Sequence, residues 1–152
     1  VMRHVKPHGA LYNMAAKDHE MARAIATATL QFNPELILFG LSGSQLIAAG
    51  KSLGLPTASE VFADRTYEQD GSLTPRSAPG AALNPPDQSA RQVLHILQTG
   101  SVTSRQGAPV SVEAETVCIH GDGPQAVATL QAVRAALTAS GITIRAFGAV
   151  DL

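Results

Sequence analysis

The stretch Glu35–Asp64, ELILFGLSGSQLIAAGKSLGLPTASEVFAD, carries the clearest structural signal in the chain. Its opening, ELILFG, is apolar without alternation, the pattern of a strand covered on both faces. SGSQLIAAGKSLG then reads as a helix, with Ser42 and Gln45 at capping-box spacing and Gly54 as its stop. TASEVFAD follows as a second strand. A strand, a helix and another strand in this order make a parallel pair with a helical crossover.

The same alternation continues on both sides. Upstream, RHVK reads as a strand ended by Pro7, which lacks an amide donor and holds Lys6 extended. DHEMARAIATATLQF reads as a helix with Met21, Ile25 and Ala28 on one face. Downstream, RTYEQDGSLTPRSAPGAALNPPD holds four prolines and has no period. Loops beyond about 12–15 residues are uncommon unless they are functional or disordered.

QSARQVLHILQTG is a helix stopped by Gly100, and SVTSRQGAPVSVE has the marks of a small hairpin around Gly107 and Pro109. ETVCIHG is a further strand. DGPQAVATLQAVRAALTASG is a further helix, with Asp122 and Gln125 at capping-box spacing, Pro124 in the first turn, and a face traced by Val127, Leu130, Arg134 and Leu137. ITIRAF reads as a last strand. The class is α/β with parallel strands and helical crossovers. Four or five strands make a doubly wound sheet alone but only part of a (β/α) barrel.

Composition narrows the function. The chain has 152 residues, enough for one ordinary domain, with 45% apolar and 15% charged residues. That is not a disordered composition. A net charge of -1 gives no basic field for nucleic acid or anionic lipid. One cysteine, Cys118, excludes an internal disulfide and fits a reducing compartment. No apolar run long enough to span a membrane appears, nor any leader pattern at the start, so the expected location is the cytoplasm.

In either fold, ligands sit beyond the carboxyl ends of the strands. The first strand ends in Lys6-Pro7-His8-Gly9, the third carries Glu60 and ends in Asp64-Arg65, and the fourth ends in His120-Gly121-Asp122. The long loop adds Tyr67, Asp70 and Arg76. Lys6 either faces a ligand or holds Glu60 or Asp64 in a structural pair. His8 and His120 are of the residue type most often used for proton transfer. Glu60, inside an apolar strand, needs partners for its charge. Asp64 and Arg65 read equally as an internal ion pair and as substrate-binding groups. Asp122 either caps its helix or orients His120. His4 shares a face with Lys6 and His8, and Cys118 reads as a core residue.

Several motifs are missing. There is no GxxxxGK[ST] phosphate loop, no GxGxxG, no GxSxG elbow and no HExxH. His8, His120 and the nearby carboxylates are suitable donors for a zinc-like divalent ion, at spacings that are not diagnostic.

HVKPHGALYN, EVFADRTYEQDGSLTPR and TVCIHGDGPQAV closely resemble blocks of the LamB/YcsF family. The resemblance runs over essentially the whole chain. It implies a distorted (β/α) barrel similar to polysaccharide deacetylases, of the glycoside hydrolase/deacetylase type. Residues 1–152 correspond to the later portion of that barrel as one domain. The family's opening blocks, roughly DLNCDLGE, ACGFHAGDP and GAHPGYPD, have no counterpart here, which implies that the N-terminal strands are absent and that the piece alone is inactive.

The family is identified with the A subunit of a bacterial ATP-dependent 5-oxoprolinase. The implied reaction opens the lactam ring of 5-oxo-L-proline to L-glutamate, with ATP as co-substrate and subunits B and C as partners. The family's pocket residues fall at Lys6, His8, Glu60, Asp64, Arg65, Tyr67, Arg76, His120 and Asp122. The implied catalytic set is Lys6, His8, His120 and Asp122, and the implied substrate-binding set is Glu60, Asp64, Arg65, Tyr67 and Arg76. Two other readings are a metal-dependent amide or carbohydrate deacetylase-like hydrolase and a non-catalytic assembly component. A half barrel with exposed strand edges also implies self-association.

Overall fold

The computed structural model describes residues 2–146. After strand β1 (His4–Val5) come a short helix α1 (Ala10–Ala15) and a longer one, α2 (His19–Phe32). Strand β2 (Ile37–Leu41), helix α3 (Gln45–Ser52) and strand β3 (Thr57–Phe62) form the crossover unit read from the sequence. Helix α4 (Pro86–Thr99) leads into an antiparallel hairpin of β4 (Ser101–Thr103) and β5 (Pro109–Ser111). Strand β6 (Thr116–Cys118) and helix α5 (Ala126–Ala139) close the described chain.

The main sheet has the order β1-β2-β3-β6, and every neighbouring pair is parallel. That order never reverses along the chain. A doubly wound sheet reverses at its switch point, so the doubly wound alternative drops out. The sheet curls into half a barrel with helical crossovers.

The pleat decides what faces inward. His4 stacks on Phe39 with ring centroids 4.5 Å apart. Glu60, Phe62, Cys118 and His120 follow on the same side, as their contacts with one another show. On the other side Leu38 packs with Ala22, Ala26, Leu46 and Ala49 of α2 and α3. Ala63 and Val117 pack with Val93, Val133 and Leu137 of α4 and α5. Tyr67, Leu73, Ile96 and Val102 extend the core beneath the long loop and hairpin.

Several local expectations are corrected. The cap of α3 is Ser44, whose hydroxyl accepts from the Ile47 amide. Ser42 instead accepts the Glu113 amide and ties β2 to the segment before β6. Asp122 does not cap α5, whose N-cap is Gln125 without a side-chain bond. The buried line of α5 is Thr129, Val133 and Leu137, while Val127 and Leu130 face outward. In α2 the buried residues are Ala22, Ala26 and Thr29, and Ala28 is exposed. Alanine-rich helices offer several stripes, and shape rather than hydrophobicity selects among them. Residues 142–146 form no strand, and Phe147 of the ITIRAF run lies outside the described residues.

Candidate active site

Two clusters form at the carboxyl end of the sheet. The first begins with Glu60, 4% exposed in the middle of β3. Lys6, just past β1, reaches it at 2.7–2.8 Å. The Tyr12 hydroxyl donates to Glu60 Oε2 at 2.9 Å. A buried carboxylate without such partners would cost several kcal/mol or so. Lys6 Nζ also lies 3.3 Å from Cys118 Sγ and 5.4 Å from the ring centres of Tyr12 and Phe62.

Charge and burial pull against each other here. Burial pushes the Lys6 ammonium down, but the Glu60 bond and charge outweigh it and hold Lys6 above its ordinary value. Burial and the Glu60 charge push the Tyr12 phenol and the Cys118 thiol up. The cluster therefore holds the Lys6 ammonium against Glu60, with a neutral phenol and thiol beside them.

The second cluster pairs Asp64 with His120. The His120 amide donates to Asp64 Oδ2 at 2.8 Å, and Nδ1 lies 3.0 Å from both carboxylate oxygens. Burial pushes the Asp64 carboxyl up, yet the ring and amide of His120 prevail and hold it below the usual carboxylate range. With Nδ1 facing Asp64, the other ring nitrogen is the one free to meet a ligand. His120 stacks on Phe62 at 5.6 Å, and Phe62 meets Tyr12 edge-on at 5.6 Å. Phe62 thus joins the two clusters.

Asp64 and His120 also line a cavity of about 770 Å³. Arg65, Arg76, Asn84, Asp122 and the start of α5 complete its walls. Arg76 and Asp122 face each other at 3.2 Å, both well exposed. Arg65 is buried and donates to the carbonyls of Thr74 and Ala81, so it pins the long loop through its backbone. Asp64 and Arg65 do not pair with each other; Asp64 is taken by His120. Tyr67 is fully buried, and its hydroxyl accepts the Phe62 amide at 2.7 Å. Asp70 holds Lys17 and Ser72 on the surface, and its hydrogen bonds from Ser72 and Lys17 lower its carboxyl to about 2.

Of the residues named from sequence, the structure brings Lys6 together with Glu60, and Asp64 with His120. Arg65, Arg76 and Asp122 join the second group around the cavity. The carboxylate on His120 is that of Asp64, while Asp122 bonds Arg76. His8 is exposed beyond β1 and bonds no other described residue. Tyr12 was missed as a site residue. Its signal was scarcity: the chain has two tyrosines, and one sits in the first polar block.

Among the described residues, no three of His, Cys, Asp and Glu are grouped to hold a metal ion. Asp64 and His120 give two donors already bonded to each other. No helix among the described residues is long and apolar enough to cross a membrane.

Known proteins resemble this chain in sequence and in fold. The chain is 54% identical over 146 residues to the 5-oxoprolinase A subunit of Brevibacillus brevis, covering 96% of this chain and 58% of that one. It is 54% identical over 145 residues to the 5-oxoprolinase A subunit of Bacillus subtilis, covering 95% and 56%. A lactam utilization protein from Thermus thermophilus superposes with a TM-score of 0.86 at 43% identity, covering 95% of this chain and 57% of that one. The chain thus spans little more than half the length of these relatives. The LamB/YcsF family model matches residues 1–151. With the model matched along nearly the whole chain and both sequence and fold in agreement, the chain belongs to the LamB/YcsF family.

Proposed function

We propose that this chain carries part of the active site of an ATP-dependent 5-oxoprolinase, as its A subunit, working with subunits B and C in the cytoplasm. The observation that carries the reading is the pairing of His120 with Asp64 in the wall of a cavity, at the same end of the sheet as the half-buried Lys6. The shared name of the relatives supplies the substrate. In this reading residues 1–152 are one domain, the later portion of a barrel of the glycoside hydrolase/deacetylase type.

A lactam is a stable amide, so its carbonyl must be activated. Transfer of the γ-phosphoryl group of ATP to the carbonyl oxygen releases ADP and makes the ring carbon electrophilic. Water adds to that carbon and gives its proton to His120, whose ring Asp64 holds in one orientation and stabilises once charged. The ring C–N bond then breaks, the nitrogen takes up a proton, and a second water releases phosphate from the acyl phosphate to leave glutamate. The Lys6 ammonium, kept charged by Glu60, stabilises negative charge as it develops on oxygen. Arg76 and Arg65 line the cavity beside the substrate, and His8 stands at the rim as a second proton carrier.

The test is glutamate release from 5-oxo-L-proline by the full-length protein with subunits B and C and ATP. Turnover that needs this protein supports the reading. No glutamate from the complete mixture overturns it.

A further inference from the structure

The last residue of β3, Phe62, lies level with Cys118 of β6. The Ala63 amide still donates to the Cys118 carbonyl, at 3.0 Å. A parallel ladder carried one step further would give the His120 amide to the Ala63 carbonyl. That amide goes instead to the Asp64 side chain, at 2.8 Å. The turn that aims Asp64 at His120 therefore leaves backbone carbonyls without strand partners, and carbonyls away from water need donors. Gln92 of α4 supplies them. Its Nε2 donates to the carbonyls of Phe62 at 2.8 Å, Arg65 at 2.9 Å and Ala63 at 3.3 Å. Two amide protons serve three carbonyls, so one proton is shared. The remaining carbonyl of the turn, that of Asp64, takes the Leu83 amide at 3.0 Å. Val93, next to Gln92, packs with Ala63 and sets α4 against this strand end.

We propose that Gln92 is a positioning residue for the Asp64–His120 pair: by clamping the carbonyls on both sides of Asp64 in the chain, it fixes the backbone from which that carboxylate holds the His120 ring. The inference rests on the reading of His120 as the proton carrier and adds a residue that stands outside the cavity wall. A glutamine suits the place. It reaches three carbonyls from a helix, it donates, and it is neutral. A lysine or arginine would set a cation near Asp64 and compete with His120 for its charge. An ionised glutamate has no proton to give. The Tyr67 hydroxyl takes the Phe62 amide at 2.7 Å, so the backbone of Phe62 is held at its amide and at its carbonyl.

The ring nitrogens of His120 read the effect directly, in the ¹⁵N-labelled full-length protein at a pH where the ring is neutral. In the wild type the proton is expected on Nδ1, facing Asp64. Gln92→Met keeps the length of the side chain and removes its donors, and it should move the ring toward a mixture of tautomers, as Asp64→Asn does. In the complex with subunits B and C, kcat should fall about tenfold and KM stay within about twofold, because a small displacement of a catalytic group is costly and Gln92 meets no substrate. On an Asp64→Asn background the same change should cost less than about twofold, since the pair it positions is already broken. Leu55→Ala, in the core under α2 and α3, lowers stability elsewhere and should leave the tautomer as it is. A wild-type tautomer or a wild-type kcat in Gln92→Met, a loss that multiplies in full with that of Asp64→Asn, or an equal tautomer change in Leu55→Ala would each overturn the proposal. The Gln92 side-chain amide should also exchange slowly in the wild type, and exchange at the rate of a free amide overturns the clamp without any variant. A tautomer that responds to Gln92 in a complex that releases no glutamate removes the assigned reaction and keeps the positioning role.

Discussion

Glu60 holds the site together by being buried where a carboxylate has to be answered. Lys6 and Tyr12 answer it at 2.7 and 2.9 Å. Removing one member of such a pair leaves a buried charge and costs about 3–5 kcal/mol. Lys6→Met should therefore lower stability by about that amount, and Lys6→Met with Glu60→Gln should recover most of it in a denaturant titration. Turnover of the assembled enzyme should fall about 10²–10³-fold in both variants, because the ammonium is gone in each. Near-normal turnover in the double variant would remove Lys6 from the mechanism.

Asp64 gives a prediction with a definite sign. Its carboxyl sits below the usual range in the folded state, so the stability it contributes is present above the ordinary value of about 3.9 and disappears as pH falls through the lower folded value. Asp64→Asn should flatten that acid limb of a stability–pH profile. It should also cut turnover about a hundredfold or more, since the amide no longer fixes the His120 tautomer. An unchanged acid limb would show that Asp64 is not bound as described.

At the scale of elements, what the sequence made legible was where each strand ends, and what it hid was which neighbour lies level. Pro7, the Asp64-Arg65 pair and Gly121 all mark strand ends, so the polar residues beyond them could be named. That Asp64 rather than Asp122 meets His120 follows from register. Phe62 pairs with Cys118, and two residues further along the parallel strands Asp64 comes level with His120. No local pattern encodes that offset. The caps failed for a related reason. Ser42 and Ser44 are both plausible beside Gln45, and the choice was made by the Glu113 amide, which claims Ser42 from far along the chain.

The packing of α3 gives the third prediction. A methyl group on Gly50 would lie 2.6 Å from Thr57 Cγ2 and 3.2 Å from Leu38 Cδ2. Alanine normally strengthens a helix by about 1 kcal/mol over glycine. Here overpacking against two strands opposes that gain, at about 1–3 kcal/mol. Gly50→Ala should lower the melting temperature of the protein. A rise would mean that α3 stands further from β2 and β3 than described.

Across the whole molecule, the sheet stops at β1 on one side and β6 on the other among the described residues. A groove of about 970 Å³ runs along this open side, lined in part by Met2, Phe39, Leu130 and Ile144. Met2, Leu130 and Ile144 are each more than half exposed. Unpaired parallel edges next to exposed apolar side chains favour pairing with another chain. Produced as these 152 residues, the chain should therefore self-associate, with a light-scattering mass that rises with concentration above the 15.8 kDa of one copy. Leu130→Glu, placed where the side chain is 54% exposed and so tolerated by the fold, should lower that mass by setting a charge in the groove. A concentration-independent monomer before the substitution would mean that the open side is not sticky, and that the polar clusters at the rim hold their shape without a neighbour.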